Sequence, residues 1–159
     1  MRTHRPFRPR CLAAGLIVSW ILAIYVSSAL LIAAGLAPGY RGRGLLAGLW
    51  DFTDQISFGA KLAYALASSA LLLGSRAIPM SRPLRTAADV FLACAAMLLV
   101  LGLLPRDWSQ GLGIGLTGQR FDPHALPRYL AAAALAGLVF TFADANCRNF
   151  ASRDEDNRE

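Results

Sequence analysis

The side chains with the clearest chemical potential are ionisable residues within or at the ends of long apolar stretches: Lys61, Asp89, Arg128 and Asp144. A charged group is costly to place among apolar residues, so such a group often marks a functional site. Asp89 follows Arg85 by four residues and Asp144 precedes Arg148 by four, the spacing of ion pairs along one helix. We favour structural ion pairs at helix ends. The alternative is a polar site shared by the third and fourth apolar segments.

A second group of polar residues lies in one apolar segment at spacings of four, three, four and seven: Ser57, Lys61, Tyr64, Ser68 and Ser75. These spacings place the five side chains on one face of a helix. Together with the two aspartates, this stripe defines a candidate polar membrane site: Lys61, Tyr64, Ser68, Asp89 and Asp144.

The sequence gives little support for a dinucleotide site, a metal site or a disulfide framework. The glycine-rich stretch 111–118 lies between two apolar segments, without the strand and helix that a dinucleotide fingerprint needs. Asp107, Asp122 and His124 share one loop, but no repeated ligand spacing accompanies them. The three cysteines are far apart and form no CxxC, which predicts neither a closed disulfide framework nor a zinc site. We therefore predict no catalytic residue, cofactor or metal ligand.

One short resemblance bears on the enzyme hypothesis. Residues 54–57 (DQIS) resemble the D-Q-x-S-K piece of the aspartyl lipoprotein signal peptidases, and residues 140–144 (FTFAD) resemble their F-N-x-A-D tail. The chain has Phe58 and Thr141 where the family has lysine and asparagine, and the family's G-N-x-x-D-R motif has no counterpart. We interpret the resemblance as coincidental.

The elements that position these residues are four long apolar segments. A helix needs roughly 20 apolar residues to cross a hydrocarbon core of about 30 Å. Cys11 to Tyr40 contains no charged side chain, and 55% of the 159 residues are hydrophobic. The predicted spans are about 12–34, 56–75, 86–105 and 127–146.

The sequence therefore predicts an all-α polytopic membrane protein, a four-transmembrane-helix bundle. Residues 1–11 form a basic tail, residues 12–146 the membrane domain and residues 147–159 a charged tail that frays. Residues 41–55 fit a short interfacial helix, with a plain loop as the alternative. Trp50 and Trp108 are the predicted interface anchors.

Orientation follows from the distribution of Lys and Arg between the two sides. The two tails and the 76–85 turn carry ten arginines, whereas the loops on the other side carry five. The positive-inside rule then places both termini in the cytoplasm, in the inner (plasma) membrane. The same distribution explains the net charge of +6 without nucleic acid.

Small residues spaced by four indicate where helices pack: Gly59, Ala63, Ala67, Ala133 and Gly137. In lipid, such residues let helix backbones approach closely. With short loops and no catalytic constellation, we predict an accessory, assembly or regulatory subunit of a larger membrane complex. Its partners are the lipid bilayer and a larger membrane protein or further copies of itself. The alternatives are a transport component and an enzyme acting on lipid or a lipidated substrate, with Asp54, Asp89 or Asp144 indispensable.

Overall fold

The computed structural model describes residues 9–36, 45–56, 58–103 and 123–156. Every secondary-structure element among them is helical: α1 (Pro9–Ala33), α2 (Leu45–Gln55), α3 (Phe58–Gly74), a 3-10 turn (Ser75–Ala77), α4 (Arg82–Leu103) and α5 (Leu126–Asp156). Four helical segments are long and apolar enough to cross a membrane: Pro9–Ala33, Phe58–Ala77, Arg82–Leu103 and Leu126–Cys147. The predicted all-α fold with four long apolar helices is confirmed. Trp108 and the glycine-rich stretch 111–118 lie outside the described residues.

Two helices begin earlier than predicted, and each has a proline in its first turn. α1 begins at Pro9 rather than at residue 12, and α4 begins at Arg82 rather than at residue 86. Proline lacks a backbone N–H, but the first-turn N–H groups of a helix have no intrahelical partner anyway. Pro9 and Pro83 therefore start these helices instead of breaking them.

The last helix is longer than predicted. α5 continues to Asp156, through residues predicted to fray. No glycine or proline follows Gly137 in the sequence, so nothing in the charged tail stops the helix.

The long helices run antiparallel to their neighbours. α5 packs mainly against α1 and α4, whereas α3 packs against α4 and only briefly against α1. The start of α1, the 3-10 turn, the start of α4 and the last apolar turns of α5 therefore meet at one end of the bundle. We call this the termini end.

The core changes character along the bundle. Near the termini end, Leu12, Leu16, Leu72 and Phe140 form one buried cluster. The larger cluster toward the opposite end joins aromatic side chains and small residues: Phe52, Tyr64, Tyr129, Ala96, Ala133 and Ala136 are among its members. Trp20 packs against both clusters and links them.

The predicted helix between the first two spans is present as α2, which packs against α1. Phe52 and Thr53 are buried, whereas Leu46 and Trp50 are 81% and 66% exposed. Trp50 therefore points away from the bundle, as an interface anchor must.

α4 and α5 approach each other at backbone distance near the termini end. A Cβ atom built on Gly137 would lie 2.7 Å from the carbonyl oxygen of Asp89 and 2.8 Å from the Cα of Val90. Only glycine fits there without displacing one of the helices.

Cys11 and Cys147 form a disulfide, although their separation of 136 residues gave no hint of pairing. The cysteine spacing predicted no closed disulfide framework and gave no indication of this single bond. The antiparallel packing of α1 and α5 brings the two Cα atoms to 5.5 Å, within the range a disulfide spans. The third cysteine, Cys94, is free and its thiol points at the Leu130 carbonyl.

We expect Gly137→Ala to destabilise the bundle by about 1–3 kcal/mol, the usual range for overpacking a tight contact. Unfolding by denaturing detergent, followed by circular dichroism, measures the effect. Gly102→Ala is the matched control, because a Cβ on Gly102 has no neighbour within 4 Å. Equal stability of the two variants would contradict the close approach of α4 and α5.

Candidate functional site

A buried cluster of charged side chains at the termini end is the chemically distinctive feature of the described residues. Its centre is Arg76, in the 3-10 turn that extends α3 by about one turn. The Arg76 side chain is 8% exposed, against 0% for Asp89 and 9% for Asp144. Three charged groups from three elements are thus almost completely removed from solvent.

Asp89 receives hydrogen bonds from two neighbouring elements. Its Oδ2 atom accepts hydrogen bonds from Arg76 Nη2 and from Thr141 Oγ1, both at 2.8 Å. Ser75 Oγ lies 3.5 Å from Oδ1 and also donates to the Leu72 carbonyl. Donors from the 3-10 turn and from α5 thus meet on one carboxylate of α4.

Asp144 occupies the outer position of the cluster. Its Oδ2 atom lies 3.9 Å from the same Nη2 atom that donates to Asp89. Arg76 therefore stands between a tightly bonded carboxylate and a more distant one.

An aromatic ring completes the surroundings of Arg76. The guanidinium carbon lies 4.7 Å from the centroid of Phe140, within the range of a cation–π contact. Phe140 also contacts Gly15 of α1, where a Cβ would come within 3.2 Å of the ring. The cluster is thereby coupled to a fourth element, α1.

The structure overturns one of the two ion pairs that helical spacing predicted, that of Arg85 with Asp89. The pairing of Asp144 with Arg148 stays a prediction, because the Arg148 side chain lies outside the described residues. Asp89 pairs with Arg76 across the helix boundary, and the nearby Arg85 donates to the Ile78 carbonyl at 2.9 Å. The sequence predicts Arg76 as one of the three arginines of the 76–85 turn, not as part of a site. The 3-10 turn instead directs its side chain into the bundle. Spacing along one helix cannot detect a partner on a neighbouring element.

The predicted polar site divides into two separate regions. Asp89 and Asp144 meet at the termini end, whereas Lys61 and Tyr64 lie near the start of α3, toward the opposite end. Tyr64 and Ser68 are buried and Lys61 is half-buried beside them. Ser68 Oγ donates to the Tyr64 carbonyl at 2.7 Å, while Tyr64 Oη has no hydrogen-bond partner among the described residues.

The packing residues also fall into two groups. Ala133 and Gly137 are buried between α5 and its neighbours, whereas Gly59, Ala63 and Ala67 are only half-buried along α3. The closest backbone approach is thus on α5.

The remaining predicted groups lie away from the cluster. Arg128, at the start of α5, hydrogen-bonds the His124 carbonyl, and both residues are at the end opposite the cluster. Among the described residues, no three His, Cys, Asp or Glu side chains are grouped as a metal site requires. Asp54, on the exposed side of α2, is also far along the bundle from Asp144. The two aspartates named by the signal-peptidase resemblance are therefore not brought together.

A comparison of the chain with protein-family models, characterised proteins and solved structures finds no significant match. The cluster holds three elements in register electrostatically.

We expect Arg76→Leu to destabilise the bundle by about 3–5 kcal/mol, because it leaves the Asp89 carboxylate buried without its cation. Denaturing-detergent unfolding again provides the measurement. The double variant Arg76→Leu/Asp89→Leu should recover most of that loss, since a buried ion pair and an apolar pair of similar size are often equivalent.

Arg82→Leu serves as the control, because Arg82 lies at the same end of the bundle but is exposed. It should change stability by no more than about 0.5 kcal/mol. If the loss of stability in the double variant equals the sum of the losses in Arg76→Leu and Asp89→Leu, the two charges do not interact.

Proposed function

We propose that the chain is a multi-pass protein of the inner (plasma) membrane, with both termini in the cytoplasm, that serves as an accessory, assembly or regulatory subunit of a larger membrane complex. Four long apolar helices support the membrane placement. The ten arginines of the tails and the 76–85 turn support the orientation.

The observation that carries the proposal is the uncovered face of α3. This helix packs mainly on α4, and among the described residues no other helix covers its opposite side along most of its length. Large apolar side chains are exposed there: Phe58, Leu62, Leu66 and Leu73. Ala70 and Gly74 are exposed beside them, and a Cβ on Gly74 has no neighbour within 4 Å.

A face that combines small and large apolar residues is suited to a helix from another protein. Within lipid, helices associate through close packing, and small residues spaced by four allow that approach. We call this surface, formed by Leu66, Ala70, Leu73 and Gly74, the α3 outer face. Our proposal assigns it to the larger partner.

We expect Gly74→Leu to separate the chain from its partner. The test is affinity purification of the tagged protein from its native membranes in mild detergent, followed by mass spectrometry and particle sizing. The wild-type chain should retain a larger partner stoichiometrically. A leucine on the α3 outer face should reduce recovery of that partner by about tenfold or more, corresponding to at least 1.4 kcal/mol of lost packing.

Gly102→Leu is the matched control, since Gly102 is also an exposed helical glycine without neighbours around its Cβ. It should retain the partner in full. A homogeneous wild-type species containing this chain alone, or equal recovery from both variants, would refute the accessory role.

A transport component is the second candidate, favoured by the buried carboxylates of Asp89 and Asp144 beside Arg76. Charged groups inside a membrane bundle are the usual elements of an ion or proton pathway. We test Asp144, because its carboxylate lies 3.9 Å from Arg76 Nη2, whereas Asp89 accepts a hydrogen bond from the same atom at 2.8 Å.

If the chain conducts ions or protons, Asp144→Asn should abolish the flux of reconstituted vesicles, measured with a pH-sensitive dye and with a potassium-sensitive dye. Asp54→Asn, an exposed aspartate of α2, is the control and should leave flux unchanged. Undiminished flux in Asp144→Asn would remove this candidate.

A further inference from the structure

We propose that the Cys11–Cys147 disulfide is a reversible redox link that fastens α1 to α5 when oxidised and releases the start of α1 when reduced. We base it on the proposed cytoplasmic placement of the termini. Nothing in the accessory role requires this link, so the two can be tested separately.

The compartment gives the first reason for reversibility. Disulfides persist in oxidising compartments, whereas in a reducing cytoplasm they are usually transient, catalytic or redox-sensing. The arginine distribution places the termini end, and with it both cysteines, on the cytoplasmic side. A bond at this position is therefore exposed to the cell's thiol pool.

The helices give the second reason. Both cysteines lie within formed helices, and the antiparallel packing of α1 and α5 extends well beyond the bond. The contact of Gly15 with Phe140, one turn along α1 from Cys11, does not depend on the disulfide. After reduction the two thiols accordingly stay close enough to form the bond again.

The chemistry is thiol–disulfide exchange with a low-molecular-weight thiol of the glutathione class. Cys11 is 3% exposed and Cys147 is half-buried, so the incoming thiolate attacks the Cys147 sulfur and Cys11 leaves as a thiolate. That thiolate lies in the first turn of α1, where the positive end of the helix dipole stabilises an anion. A second small-molecule thiolate then attacks the small-molecule sulfur of the mixed disulfide. Cys147 leaves as a thiolate, and the two small molecules are released as their disulfide. Oxidation reverses both steps.

The position of the bond connects it to the charged cluster. Cys147 lies one turn beyond Asp144 on α5, and Cys11 lies one turn before Gly15 on α1. Gly15 contacts the ring of Phe140, which lies against the Arg76 guanidinium. Reduction therefore frees the first turn of α1 directly beside the packing that surrounds the cluster, while the contact of Gly15 with Phe140 remains.

Thiol trapping in living cells tests the proposal. Cells are treated with diamide or dithiothreitol and quenched in acid, and the denatured chain is alkylated with a PEG-maleimide and resolved by electrophoresis. We expect one addition, at Cys94, after diamide, and three additions after dithiothreitol. Cys147→Ser, which cannot form the link, should show two additions in both treatments. One addition or three additions under both treatments in the wild-type chain would overturn the redox role.

The compartment is tested independently with Ser81→Cys in a chain whose native cysteines are replaced by serine. Ser81 is exposed in the turn between the 3-10 turn and α4, at the termini end. A membrane-impermeant maleimide should label this variant only after the cells are permeabilised. Labelling of intact cells would overturn the cytoplasmic placement, and the redox role with it. If Ser81→Cys is labelled only after permeabilisation, but the number of PEG-maleimide additions to the wild-type chain is the same after diamide and after dithiothreitol, the redox role alone is overturned.

Discussion

The pairing of Arg76 with Asp89 is the constraint on which the arrangement of this bundle depends. Asp89 is completely buried, and a buried carboxylate is tolerable only when its partners satisfy it closely. Those partners come from the 3-10 turn and from α5, while Asp89 itself lies on α4. The register of these elements is therefore fixed at one point, because a shift of either helix would leave a charge unpaired.

Close backbone packing makes this pairing possible. Gly137 lets α5 approach the backbone of α4 at Asp89, and Thr141, one turn later, then reaches the carboxylate. Gly15 plays a similar part on α1, where its missing side chain leaves room for the Phe140 ring that covers Arg76. Glycines on two helices thus allow the close packing beside one ion cluster.

The sequence identified the helices far better than it identified their contacts. Four apolar stretches longer than about 20 residues have few other structures open to them, which is why the spans were found nearly at their observed positions. Asp89 and Asp144 were recognised as unusual because charge is rare in such stretches. Their partner was missed because the rule applied to them, spacing by four, considers a single helix.

The inward direction of Arg76 depends on three residues of 3-10 turn, and the Cys11–Cys147 bond depends on the packing of α1 with α5. Neither leaves a periodic pattern in the sequence. The interfacial segment shows the same limit, since its helical period indicated α2 but not which of its residues would face α1. Contacts between elements are set by how backbones fit together, and single-sequence periodicity carries little of that information.

The proposed partner surface and the ion cluster are adjacent in the chain. Gly74, on the α3 outer face, is two residues before Arg76, and the 3-10 turn joins them directly. A helix that packs against Gly74 therefore presses on the same turn that holds Arg76 between its two carboxylates. Because interfaces and packed cores shift between discrete arrangements rather than deforming smoothly, such contact would act on the cluster as a whole. An accessory subunit built in this way would report partner binding at the termini end, where α1, α4 and α5 all meet.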